Sequence, residues 1–245
     1  MQTGVHAVDE GLRAYMVRVY NYMAAGLAIT GIFAYGAFML ATTTDPSLMV
    51  ARLPNGMMIT EFGRLVFMTP LKWVLFLAPL GLVFLLSARV HRMSLPAAQA
   101  TFWVYAALVG VSIATIFMVY AHGSVARVFF VTAATFGGLS LYGYTTQKDL
   151  SGWGSFLIMG LIGIIIASIV NFFVGSSALQ FAISVIGVLV FAGLTAYDTQ
   201  QIKETYYSGD SQLVAGQKAI MGALNLYLDF LNMFLLLLQL FGNRE

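Results

Sequence analysis

Residues 152–197 read GWGSFLIMGLIGIIIASIVNFFVGSSALQFAISVIGVLVFAGLTAY, 46 residues without a single charge. Wound as one helix they would extend about 69 Å, at 1.5 Å per residue. The hydrocarbon core of a bilayer is only about 30 Å thick, so the stretch holds two spanning helices rather than one. The only cluster of breakers inside it is Gly175-Ser176-Ser177, and the chain is expected to turn back there.

Outward from this stretch the same pattern recurs. Residues 19–44 are uncharged and predict a first span, 73–88 a second and 98–121 a third. His122-Gly123-Ser124 reads as a tight turn into a fourth span ending near Thr146, and 219–243 predicts a seventh with one charge, Asp229. Between them lie the turns 89–96 and 147–149, a polar connection over 203–218, and the longest loop, 45–72. That loop carries Asp45, Pro46, Arg52, Pro54, Glu61, Arg64, Pro70 and Lys72. Seven spans leave no room for a separate soluble module, so the expected organisation is one polytopic domain over 1–245. Residues 5–18 are weakly amphipathic. They read either as a surface helix or as a polar tail leading into the first span.

Composition agrees. The chain is 60% hydrophobic and 9% charged, against about 25% charged in soluble domains. A formal net charge of +2 gives no field suited to nucleic acid. The absence of cysteine excludes disulfides, thiolate metal sites and a cysteine nucleophile. No cofactor motif is present. The N-terminal tail and the even-numbered turns collect Arg13, Arg18, Arg89, Arg92, Lys148, Lys203 and Lys218. The other side has Arg52, Arg64, Lys72, Arg127 and Arg244. This bias favours a cytoplasmic N-terminus.

Two carboxylates stand out. Asp229 lies about ten residues inside the seventh span, where a charge costs roughly 2.5–3.5 kcal/mol. It is therefore expected to face other helices and to have a partner. Asn225, Asp229 and Asn232 share one helical face as i, i+4 and i+7. Asp198 closes the sixth span. The plain alternatives are a neutral packing carboxyl at Asp229 and a water-exposed helix-end carboxylate at Asp198. Arg89 ends the second span on the side where the sixth also ends. It can reach a carboxylate as a bidentate partner or snorkel to the interface. His6, His91 and His122 fall in tails or turns. Glycines at 26 and 31, 137 and 138, and 160 and 163 read as helix-contact positions, Trp73 and Trp153 as interfacial anchors, and Asn171 as a packing or capping group.

Four segments carry a family resemblance: VYNYMAAGL at 19–27, FGGLSLYGYTTQKDL at 136–150, AYDTQQIK at 196–203 and LYLDFLNMF at 226–234. Together they resemble the Bax inhibitor family of membrane proteins (the TMBIM or Lifeguard group), in its bacterial branch. The resemblance implies an all-α integral membrane fold in which six helices wrap a central C-terminal one, placed in a bacterial cytoplasmic membrane. It further implies a pH-sensitive calcium leak. Its sensor would be the Asp198–Asp229 pair, its latch Arg89, with Arg92 close enough to compete. Asn225 and Asn232 are the neighbouring polar groups. The 45–72 loop is longer than the family pattern suggests, so no outer-loop role carries over.

Two facing carboxylates in a low dielectric share a proton, pair with a cation such as Arg89, or bind Ca²⁺. Ca²⁺ takes six to eight oxygens, so two Asp side chains alone make a weak, transient site. Rival readings are a non-conducting regulator that binds a membrane protease or another membrane protein, a proton-coupled transporter, and an intramembrane aspartyl protease. Tyr197-Asp198 matches a protease motif, but Leu226-Tyr227-Leu228-Asp229 lacks the Gly-x-Gly-Asp that admits a substrate backbone. No internal repeat supports a transporter.

Overall fold

Without water in the hydrocarbon, every backbone N–H and C=O must be satisfied within its own segment, and helix is the local solution. The computed structural model describes residues 2–244, with side chains from residue 10 onward. Seven helices are long and apolar enough to cross a membrane, and the protein is an integral membrane protein of the all-α class. They are α1 (Gln2–Ala41), α2 (Leu71–Arg89), α3 (Leu95–Ile113), α4 (His122–Thr145), α5 (Ser151–Val174), α6 (Ser177–Glu204) and α7 (Gln212–Phe241).

The turn inside the uncharged stretch falls at the breakers. Gly175 caps α5 with φ 67°, in the left-handed region that glycine enters without a steric penalty. Its N–H donates to the Asn171 carbonyl (2.7 Å), and the Ser176 hydroxyl then accepts from Leu179 N–H to start α6. Asn171 takes a capping role: its Oδ1 accepts from Ser176 N–H (2.9 Å).

Helix ends differ from the apolar boundaries in several places. α1 runs on through the N-terminal stretch as one helix, which is the tail-into-span reading. The 203–218 connection shrinks to 205–211, because α6 continues to Glu204 and α7 starts at Gln212. Hydrogen bonding carries a helix past the membrane edge until a capping or turn residue ends it. His122-Gly123-Ser124 is the first turn of α4 and not a turn before it. The third span breaks after Ile113 and resumes as a short turn, Ile116–Val119. The 45–72 loop folds back on the end of the predicted first span in a small antiparallel sheet, in the order β1 (Thr42–Thr43), β3 (Met58–Ile59), β2 (Ala51–Arg52). An exposed Arg64–Glu61 ion pair lies beyond it.

The described residues group into two compact units. One contains the chain up to Val17, His122–Gly209 and Gly222–Asn243. In it α6 packs against α4 and α5. Gly143 makes the α4–α6 approach possible, since a Cβ there would meet the Ala196 carbonyl oxygen at 2.2 Å. The Phe230 ring of α7 meets Phe129 and Phe136 of α4 edge-on at 5.4 and 5.5 Å. The second unit contains Arg18–Ala121, Asp210–Met221 and Arg244. There α2 packs on α3, Gly110 approaches the Thr30 carbonyl, and Lys218 pairs with Asp210 (2.6 Å).

The glycine pairs expected at helix contacts are mostly not there. Gly31, Gly137, Gly138 and Gly163 have open space where a Cβ would be. Sequence spacing locates a small residue but not the face that meets a neighbour. α7 is the most shielded of the seven helices: 67% of its apolar window is buried, against 11–39% for the others.

Candidate functional site

The Tyr197-Asp198-Thr199-Gln200 segment lies in the last two turns of α6, where successive side chains point about 100° apart. Three consecutive residues therefore address three different neighbours. Thr199 Oγ1 and Ser140 Oγ of α4 share a hydrogen bond of 2.9 Å, wholly buried. Gln200, 3% exposed, reaches the turn between α4 and α5. Its Nε2 donates to the Lys148 carbonyl (2.8 Å), and its Oε1 accepts from Leu150 N–H (2.8 Å). Asp198, half-buried, points to α7.

On α7 Asp229 is 4% exposed, among Leu226, Tyr227, Phe230 and Met233, all buried. The two carboxyl groups meet at side-chain hydrogen-bonding range. Ionised carboxylates only accept, so a hydrogen bond between them exists only when one carries a proton. Among the described residues, Asp229 Oδ2 has no hydrogen-bond donor beside it. The sequence placed these residues on neighbouring spans, and the structure brings them together.

Lys203, five residues beyond Asp198, is directed elsewhere. Its Nζ donates to the Tyr144 carbonyl at the end of α4 (2.9 Å), where a cation complements the helix dipole. Asn232 is half-buried and returns its amide to its own helix, Nδ2 donating to the Leu228 carbonyl (2.8 Å). Asn225 is exposed although residues 222–224, 226 and 227 around it are buried. The three-residue polar face expected on α7 thus has one buried, one half-buried and one open member. Arg89 and Arg92 are both exposed at the end of α2 and in the turn that follows. His91 lies in that turn, and the side chain of His6 falls outside the described residues.

Two carboxylates offer four oxygens. Among the described residues, no third His, Cys, Asp or Glu joins them to make a metal cluster. The donor set suits a hard cation held briefly and completed by water or carbonyls; an unpartnered buried carboxylate oxygen fits that chemistry.

A second polar cluster joins the same two helices, and sequence reasoning had not assembled it. Gln180 of α6 accepts at Oε1 from Asn171 Nδ2 (3.1 Å) and donates from Nε2 to Gln239 Oε1 of α7 (2.7 Å). Ser184 Oγ also donates to Gln239 Oε1 (3.0 Å). The signal was a Gln on an apolar span at 180 and another at 239, which only a fold could pair.

The family model described as inhibitor of apoptosis-promoting Bax1 matches residues 12–245. The chain belongs to the Bax inhibitor family. Its bacterial relatives include the inner membrane protein YbhL of Escherichia coli (strain K12), 44% identical over 237 residues, 96% of this chain and 94% of that one. A Caulobacter vibrioides protein is 46% identical over 241 residues, covering 98% and 92%, and one from Rickettsia prowazekii is 45% identical over 237, covering 97% and 92%. As a Bax inhibitor family member the chain carries its carboxyl pair on α6 and α7, the two helices whose motifs, AYDTQQIK and LYLDFLNMF, suggested the family.

Proposed function

We propose that this protein is a pH-sensitive cation leak, conducting Ca²⁺, in which the Asp198–Asp229 pair sets the balance between closed and open positions of α7. The observation that carries the reading is the contact of two carboxyls inside the membrane, with one buried oxygen left unpartnered. Such a pair has few stable states. It holds a proton, or a cation, or it separates. Each state favours a different placement of the helices that carry it, which is the requirement for a ligand- or proton-driven population shift.

A route for the ion is supported by α7 itself. Lys218, Met221, Asn225, Leu228, Asn232, Leu235 and Gln239 follow one another at steps of three and four residues, so they lie on one stripe. All are half-buried or exposed, whereas the other residues between 219 and 238 are buried apart from Leu236. An accessible Asn in the middle of a span is tolerated where it borders water, not lipid. In this reading Arg89 is the latch that engages the pair in the closed form, and Asn225 and Asn232 are polar stations beside it. The protein performs no covalent chemistry.

The test is flux through liposomes holding the purified protein, for Ca²⁺ and K⁺ between pH 6 and 8. The leak reading expects Ca²⁺ flux that changes with pH, persists in Asp198→Asn or Asp229→Asn, and loses its pH dependence there. Asp198→Asn also raises flux at the pH where the wild type is closed. Absence of flux in every form would leave a non-conducting regulator that binds a membrane protease or another membrane protein. An unchanged pH profile in both variants would leave the carboxyls as packing groups. The reading also puts the N-terminus in the cytoplasm of a bacterial inner membrane. A cysteine at position 55 should then react with an impermeant maleimide from outside; labelling only from inside reverses the orientation.

A further inference from the structure

A cavity of about 400 Å³ opens beside the turn that Gln200 holds, within the unit built by α4, α5 and α6. Its floor is Leu157 with Ala192 and Gly193. Leu157 packs onto Gly193, where a Cβ would meet its Cδ2 at 2.6 Å, and it lies about 9 Å along α5 from Ser151, at 1.5 Å per residue, so the floor is at acyl-chain depth. The mouth carries Lys148 and Asp149, in a turn between two spans and therefore at headgroup level. Trp153, 61% exposed, and Tyr142, 48% exposed, flank it as interfacial aromatics do.

The charges at the mouth are adjacent, opposite and exposed. Lys148 has its backbone fixed by Gln200. Asp149 Oδ1 accepts from Ser151 N–H (2.8 Å), and the residue is exposed. That N–H holds the Asp149 carboxyl below its ordinary pKa, so it stays ionised at neutral pH. A lone anion would meet attraction from Lys148 and repulsion from Asp149. A zwitterion with phosphate and ammonium a few ångströms apart meets attraction from both.

We propose that this cavity is a binding site for one zwitterionic aminophospholipid, its phosphate on Lys148, its ammonium on Asp149, and an acyl chain over Leu157, Ala192 and Gly193. Tyr197 lines the same cavity and directly precedes Asp198. The bound lipid therefore borders the α6 turn that carries the carboxyl pair. The site does not depend on conduction.

Trp153 is a reporter already in place. In a Trp73→Phe, Trp103→Phe background it is the single tryptophan left of three. The protein is reconstituted in phosphatidylcholine vesicles with increasing fractions of chain-brominated phosphatidylethanolamine or phosphatidylglycerol, and quenching of Trp153 is followed. Brominated phosphatidylethanolamine should quench at a several-fold lower mole fraction than phosphatidylglycerol. Asp149→Asn, which keeps the Ser151 hydrogen bond, should abolish the preference. Ala192→Phe, which fills the floor, should remove the tight component for both lipids. Equal quenching by both headgroups, unchanged in Asp149→Asn and Ala192→Phe, would reduce the cavity to ordinary annular lipid and overturn the proposal. Reversal of quenching by millimolar inorganic phosphate would overturn it as well, by making the site one for a free anion.

Discussion

α6 and α7 touch through two polar clusters of opposite character. At one, Asp198 meets Asp229, and one buried oxygen has no further partner. At the other, Asn171, Gln180, Ser184 and Gln239 form a chain of neutral hydrogen bonds in which each amide oxygen accepts. Both join the same two helices. Only the first changes its interactions when a proton arrives or leaves. The amide cluster has one lowest-energy arrangement at any pH, whereas the carboxyl cluster has several. The amide cluster is suited to hold α7 in register and the carboxyl cluster to release it.

The sharpest way to break this contrast is to make the carboxyl end resemble the amide end. Asp198→Asn with Asp229→Asn should remove the pH dependence of unfolding between pH 6 and 8. A one-proton difference between folded and unfolded states changes stability by about 1.4 kcal/mol per pH unit, so this is the largest effect expected. Unfolding midpoints in detergent, followed by circular dichroism, measure it; a slope equal to the wild type's would end the contrast.

Next in size is the packing behind the carboxyl end. Gly143→Ala drives a methyl into the Ala196 carbonyl and should destabilise by about 1–3 kcal/mol. Gly137→Ala on the same helix has open space and should change stability by less than about 1 kcal/mol. Equal melting shifts for the two would show that α4 does not brace α6 there. Smallest is Gln239→Leu, which strands the Gln180 amide. Interhelical hydrogen bonds in membranes average about 0.6 kcal/mol with a maximum near 1.7, so a loss of about 1 kcal/mol is expected. The wild-type pH response should be retained. Loss of that response in Gln239→Leu would merge the two clusters into one device.

Much of this was legible in the chain. Charges are costly in hydrocarbon, so the uncharged runs located seven spans, and the excess length of 152–197 forced the turn at Gly175. The same cost singled out Asp198 and Asp229. What stayed hidden has a common cause. Gln180 and Gln239 lie 59 residues apart and neutral amides have no spacing rule, so only the fold pairs them. Gly143 looks like Gly137 until the α6 backbone is placed against one of them. The two-residue strands of the 45–72 loop are too short to leave an alternation. Gln200 stands in the AYDTQQIK segment with nothing in its spacing to show a role, because its partners are backbone groups of a turn.

That glutamine has a mechanical consequence. Asp198, Thr199 and Gln200 are consecutive, and each is attached to something different: α7, Ser140, and both ends of the 148–150 turn. Turning α6 about its axis to carry Asp198 away would tear out the other two attachments at once. Moving α7 breaks the carboxyl contact and slides the Phe230 ring past Phe129 and Phe136, but leaves the Thr199 and Gln200 attachments whole. In the language of a motor, α6 is the stator, keyed into its housing on two sides, and in the proposed leak α7 is the rotor that the carboxyl pair drives.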